Sequence, residues 1–122
     1  MIILIDIDDI KHHNIYLGSR VLNKIKNMKW FQRIGYSTEH FDMNGLYINV
    51  PITAHLYKTR MEQLISIEYD ILSRVNIDNL VPCYYIKENI ERRNCRKFND
   101  MVLKISGIWE NNTNYGLIYK LK

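Results

Sequence analysis

The sequence predicts an α+β fold, a mostly antiparallel sheet with one long amphipathic helix packed on it. Three observations carry that expectation. Apolar residues recur at three- and four-residue steps between Ala54 and Val75. Apolar and polar residues alternate through Trp30–Tyr36 and Leu46–Val50. Two further alternating runs close the sequence around an Asn-rich turn. With 122 residues, 47% of them hydrophobic and 25% charged, residues 1–122 read as a single folded domain. No stretch reaches the ~20 apolar residues of a membrane-spanning helix. The apolar opening is broken by Asp6, Asp8 and Asp9, and a basic leader and cleavage site are missing, so an intracellular setting is expected. Cys83 and Cys95 are then expected as reduced thiols.

Ile2–Ile7 reads as a strand leaving the core, with acids appearing at alternate positions. Asn14–Leu17 and Val21–Lys26 fit either a strand broken at Gly18–Ser19 or a strand followed by a short helix capped by Ser19. In Trp30–Tyr36, Trp30, Gln32, Ile34 and Tyr36 share one face, with Phe31 and Arg33 on the other. Leu46–Val50 is the expected hairpin partner, with Tyr47 opposite its apolar side and Ser37–Gly45 as the loop. Thr53 is the expected N-cap of a helix over Ala54–Val75, whose stripe is Leu56, Met61, Leu64, Ile67 (or Glu68), Ile71, Leu72 and Val75.

After Pro82, Cys83–Ile86 reads as a short strand and Lys87–Asp100 as a polar helical turn or loop. Val102–Glu110 and Gly116–Leu121 form the clearest hairpin. Its alternation puts Leu103, Ile105 and Trp109 against Leu117, Tyr119 and Leu121, with Lys104, Ser106 and Glu110 facing away beside Ile118 and Lys120. Strands, one long helix and a closing strand pair is also the element order of the OB-fold, a five-stranded barrel, which makes an OB-like β-barrel the alternative to an open sheet.

The net charge of +4 is clustered. No acid occurs from Ile10 to Thr38, where Lys11, Arg20, Lys24, Lys26, Lys29 and Arg33 fall, and Arg92, Arg93, Arg96 and Lys97 form a second group. Clustered positive charge is the footprint of a phosphate binder, although charge runs are often only solvated surface. Enzyme chemistry is not expected. Asp6 and Asp8 resemble the haloacid-dehalogenase nucleophile pair, but that family needs Gly and Thr or Val next, where Asp9 and Ile10 stand. His12 and His13 are adjacent, and the cysteines lack zinc-site spacing. No phosphate loop, nucleophile elbow or zinc-protease motif is present, so no cofactor or metal is expected.

What remains is rings interleaved with cations on strands, the pairing that holds unpaired nucleic acid by base stacking and phosphate contacts. The expected nucleic-acid contacts are Lys26, Lys29, Phe31, Arg33, Tyr47, Arg92, Arg93, Arg96, Lys104 and Lys120, whereas Trp109 is expected in the core beside Leu103 and Ile105.

The segment Ile105-Ser106-Gly107-Ile108-Trp109-Glu110, followed by Tyr115-Gly116-Leu117-Ile118-Tyr119-Lys120, resembles the closing motif of small OB-type single-stranded DNA-binding proteins of large DNA viruses and related mobile elements. That resemblance implies coating of single strands during viral DNA replication, with Trp109, Tyr119 and Lys120 at the matching positions. Abundant Ile, Asn, Lys and Tyr with Ala54 as the single alanine fit an AT-rich genome of that sort. The expected function is non-sequence-specific single-stranded DNA binding in the host cytoplasm or nucleus, with replication proteins and further copies of the chain as candidate partners. Proteins of that class often end in an acidic tail that contacts polymerase partners, whereas this sequence ends Lys120-Leu121-Lys122. The alternative is a viral protein–protein or regulatory module without nucleic-acid binding.

Overall fold

A computed structural model describes residues 2–22, 29–75, 77–92 and 99–122. These residues form eight strands in one mixed sheet and two α-helices. The strands are β1 (Ile5–Asp6), β2 (Ile15–Leu22), β3 (Trp30–Ser37), β4 (Asp42–Asn44), β5 (Leu46–Val50), β6 (Val81–Cys83), β7 (Met101–Glu110) and β8 (Asn114–Leu121). The helices are α1 (Tyr57–Ser73) and α2 (Tyr85–Arg92). The α+β class is therefore present. Among the described residues, however, the sheet is open and branched rather than a closed barrel, and a short second helix accompanies the long one.

The ten-residue β7 is the spine of the sheet. Its first half pairs with β5 and its second half with β3 along one edge, while β8 runs antiparallel along the other. Leu46–Val50 is thus a partner of Met101–Ile105 and not of β3, as the alternation had suggested. The cause lies at Gly45. The loop after β3 closes on three-residue β4, and Gly45, at φ +84°, then turns the chain from β3 toward β7 while its N–H still donates to the Ile34 carbonyl at 2.8 Å. The segment Ile15–Leu22 is one continuous strand, with its irregularity between Leu17 and Arg20, at Gly18–Ser19. The expected opening strand shrinks to Ile5–Asp6, because Asp6 accepts the Asp8 N–H and starts a 3-10 turn.

Ile34, Tyr36, Met43, Leu46, Ile48, Val50, Leu103, Ile105, Ile108 and Leu117 bury one face of the sheet. Met61, Leu64, Ile67, Ile71 and Leu72 of α1 join the same core, which is the stripe its spacing predicted. The helix begins three residues later than expected. Thr53 does not cap it; its hydroxyl and carbonyl both accept the Leu56 N–H, closing a turn ahead of the helix.

Two polar groups of α1 are buried, each for a specific task. Arg60 donates to the Pro51 carbonyl at 2.9 Å and to Asp8 at 2.7 Å, tying the helix to the chain's opening turn. That guanidinium, with Gln63, holds the Asp8 carboxyl below its ordinary range. Glu68 is 0% exposed and accepts the N–H groups of Ile86 and Lys87, hooking the start of α2 onto α1. Burial pushes its carboxyl up, against the pull of those two hydrogen bonds. Beyond the hook, Asn89 donates to the Tyr119 hydroxyl, so α2 lies beside the half of β8 that β6 leaves unpaired. Among the described residues no helix is long and apolar enough to cross a membrane.

Candidate nucleic-acid interface

The opposite face of the sheet is built from the residues that alternate away from the core. Strand register aligns Val21, Phe31, Trp109 and Gly116 in one row across β2, β3, β7 and β8, with Cys83 of β6 at its end. The neighbouring row holds Arg33, Gly107 and Ile118. A third aligns Tyr47, Lys104 and Lys120 across β5, β7 and β8. Phe31, Arg33, Tyr47, Lys104 and Lys120 are therefore brought together on one face.

Trp109 belongs to this outer face and not to the core. The two-residue alternation from Leu103 through Ile105 is interrupted at Ser106, an extra residue in β7 opposite the Tyr119–Ile118 step of β8. A bulge reverses the phase of every residue after it. Ile108 and Glu110 accordingly turn inward and Trp109 turns outward. A glycine inside a strand, here Gly107, is the sequence signal for such a bulge.

Three rings of this face lie over glycines. A methyl group added at Gly35 would sit 2.3 Å from the Tyr16 ring, at Gly107 2.6 Å from Phe31, and at Gly116 2.9 Å from Trp109. Without a Cβ beneath them, the rings lie down on the sheet, and the Trp109 ring is in turn covered by a second ring. Tyr85, from the start of α2, stacks on Trp109 with centroids 5.9 Å apart and planes 20° from parallel. Its hydrogen bond with Cys83 raises the Tyr85 phenol above its ordinary range.

Cations outnumber carboxylates here. Among the described residues the outward positions of the paired strands carry Arg33, Lys104 and Lys120 against two carboxylates, Asp6 at the β1 edge beside Asn49 and Asp42, which accepts a hydrogen bond from the Tyr16 hydroxyl at 3.0 Å. Lys104 lies 5.5 Å from the Tyr47 ring centre. Beside them Gly18, Ser19, Val21, Phe31 and Arg33 line an open groove of about 420 Å³.

The remaining expected contacts fall elsewhere. Lys29 is exposed just before β3, with its ammonium 3.4 Å from the Asn112 side chain, and Arg92 is exposed at the end of α2. Lys26, Arg93 and Arg96 lie outside the described residues. Arg20, although part of the acid-free stretch, is spent internally. It donates to both Glu110 oxygens, at 2.6 and 3.2 Å, and covers Trp30 at 4.8 Å. The outward turn of Trp109 and the recruitment of Tyr16 and Tyr85 were not expected from sequence. Among the described residues no three His, Cys, Asp or Glu side chains gather as a metal cluster. No family model, curated protein or solved structure matches this chain.

Proposed function

We propose that this chain binds single-stranded nucleic acid, DNA in the first instance, without sequence specificity, on the outer face of β2, β3, β5, β7 and β8, in the replication of viral or mobile-element DNA. One observation carries the reading: the bulge at Ser106 sets Trp109 directly opposite Phe31, both rings laid on glycines, with Arg33, Lys104 and Lys120 in the adjoining rows. Bases stack on exposed ring faces at about 1–3 kcal/mol each, irrespective of sequence, while neighbouring cations follow the phosphates. Duplex DNA hides its base faces and gains little from such a platform.

Titration of labelled single-stranded and duplex oligonucleotides at two salt concentrations tests this. Single strands should bind preferentially and quench Trp emission. Affinity should fall with salt, with a slope of about −2 in log–log form for three phosphate contacts. Phe31→Ala or Tyr47→Ala should weaken binding with little change in that slope. Equal, weak binding of both substrates at low salt would overturn the proposal.

A protein-binding role is the second reading. It is favoured by Val21 and Leu22, 57% and 58% exposed on a strand that pairs along one edge only among the described residues. A pull-down that survives nuclease treatment would favour it over the first.

A further inference from the structure

The outer face does not end at β8. Between α2 and the second half of β8 lies an open groove of about 750 Å³, within the ~300–1,000 Å³ range of small-ligand sites. Tyr85, Asn89, Arg92, Tyr119 and Lys120 line it, together with Glu88. Two of these residues belong to the ring face as well. Tyr85 stacks on Trp109, and Lys120 sits opposite Lys104 in the cationic row. Ring row and groove thus share a stacking residue and a cation.

We infer that this groove is a second subsite for the same strand, taking the sugar–phosphate backbone of the next nucleotides as they pass Trp109 and leave the sheet. The inference rests on the nucleic-acid reading above. Arg92 and Lys120 bring two cations against the one carboxylate of Glu88, and Arg92 supplies a planar donor suited to a phosphate. The walls are held in place. Glu68 binds the first turn of α2, buried Ile86 seats the helix in the core, and Asn89 is tied to Tyr119. A preformed groove of this kind orders a flexible strand without also having to order its own walls. The binding footprint is therefore longer than the ring row alone, and α2 sets its extent.

The test is a length series of oligothymidylates, measured by anisotropy against the wild-type chain, Arg92→Ala and Phe31→Ala, with circular dichroism as the check on folding. Arg92 is exposed, so its replacement should leave the fold intact. The shortest oligonucleotides, filling only the ring row, should bind Arg92→Ala as well as wild type. The longest should lose affinity several-fold, with a salt slope shallower by about 0.7 for the one phosphate released. Phe31→Ala should weaken every length alike. An Arg92→Ala effect that is absent, or that is the same at every length, overturns the groove subsite and leaves the ring face standing. No binding at any length overturns both.

Discussion

At Gly107 the absence of a side chain has two consequences. A Cβ there would approach the Gln32 carbonyl to 2.5 Å and the Phe31 ring to 2.6 Å. The carbonyl belongs to β3 and is held by sheet pairing, so it cannot simply move aside. Gly107→Ala is expected to lower stability by about 1–3 kcal/mol, the usual range for overpacking, as read from the urea midpoint. It should also lift Phe31 off the sheet and reduce oligonucleotide affinity beyond the loss of stability. A variant that unfolds earlier yet binds normally in its folded state would separate the glycine's packing role from the ring platform.

The contact between α1 and α2 rests on a buried acid, and its pH response follows. Burial raises the Glu68 carboxyl above its ordinary value of 4.5. In the unfolded chain the group loses its proton near that ordinary value, while the folded protein keeps the proton to higher pH. Stability contributed through Glu68 is therefore largest below the ordinary value and falls as pH rises toward the raised one. Glu68→Gln removes this titration, so the variant's stability relative to wild type should climb as pH rises through that window. Urea unfolding at a series of pH values measures it, and a relative stability flat with pH would show that Glu68 titrates normally. Asp8 acts in the opposite sense. Its lowered carboxyl gives a contribution through Arg60 that is present above the ordinary value and lost as pH falls through the lowered one.

Across the whole molecule, the two faces of one sheet differ in what they present. The inner face is closed by α1 into an apolar core. The outer face keeps the half-buried rings of Phe31, Tyr47 and Trp109, the half-buried Lys104 and the exposed cations Arg33 and Lys120. Its charge should govern association more than stability. Arg33→Glu combined with Lys120→Glu is expected to slow oligonucleotide association strongly at low salt and flatten its salt dependence. The unfolding midpoint should move by no more than about 0.5 kcal/mol per site, as is usual for exposed positions. Stopped-flow fluorescence and urea unfolding read the two effects separately. An unchanged association rate would show that oligonucleotides do not bind through this face.

Much of this arrangement is legible in the residues themselves. The α1 stripe, the faces of β3 and the closing hairpin follow from periods of 3.6 and 2, since burial of one side must match the geometry of the element. So does the placement of Phe31 and Arg33 opposite the buried side of β3, and of Tyr47 opposite that of β5, although the Tyr47 ring still packs against the core. Tertiary structure decided the rest. Leu46–Val50 presents the same apolar side to any antiparallel neighbour, so alternation alone cannot choose between β3 and β7; the turn at Gly45 does. The long span between Leu46 and Ile105 leaves no local signal of their pairing. Trp109 depends on a single extra residue, because one step of slippage exchanges the faces of everything beyond it. A period names which side chains travel together. Only the assembled sheet determines which strand lies alongside and where the phase reverses.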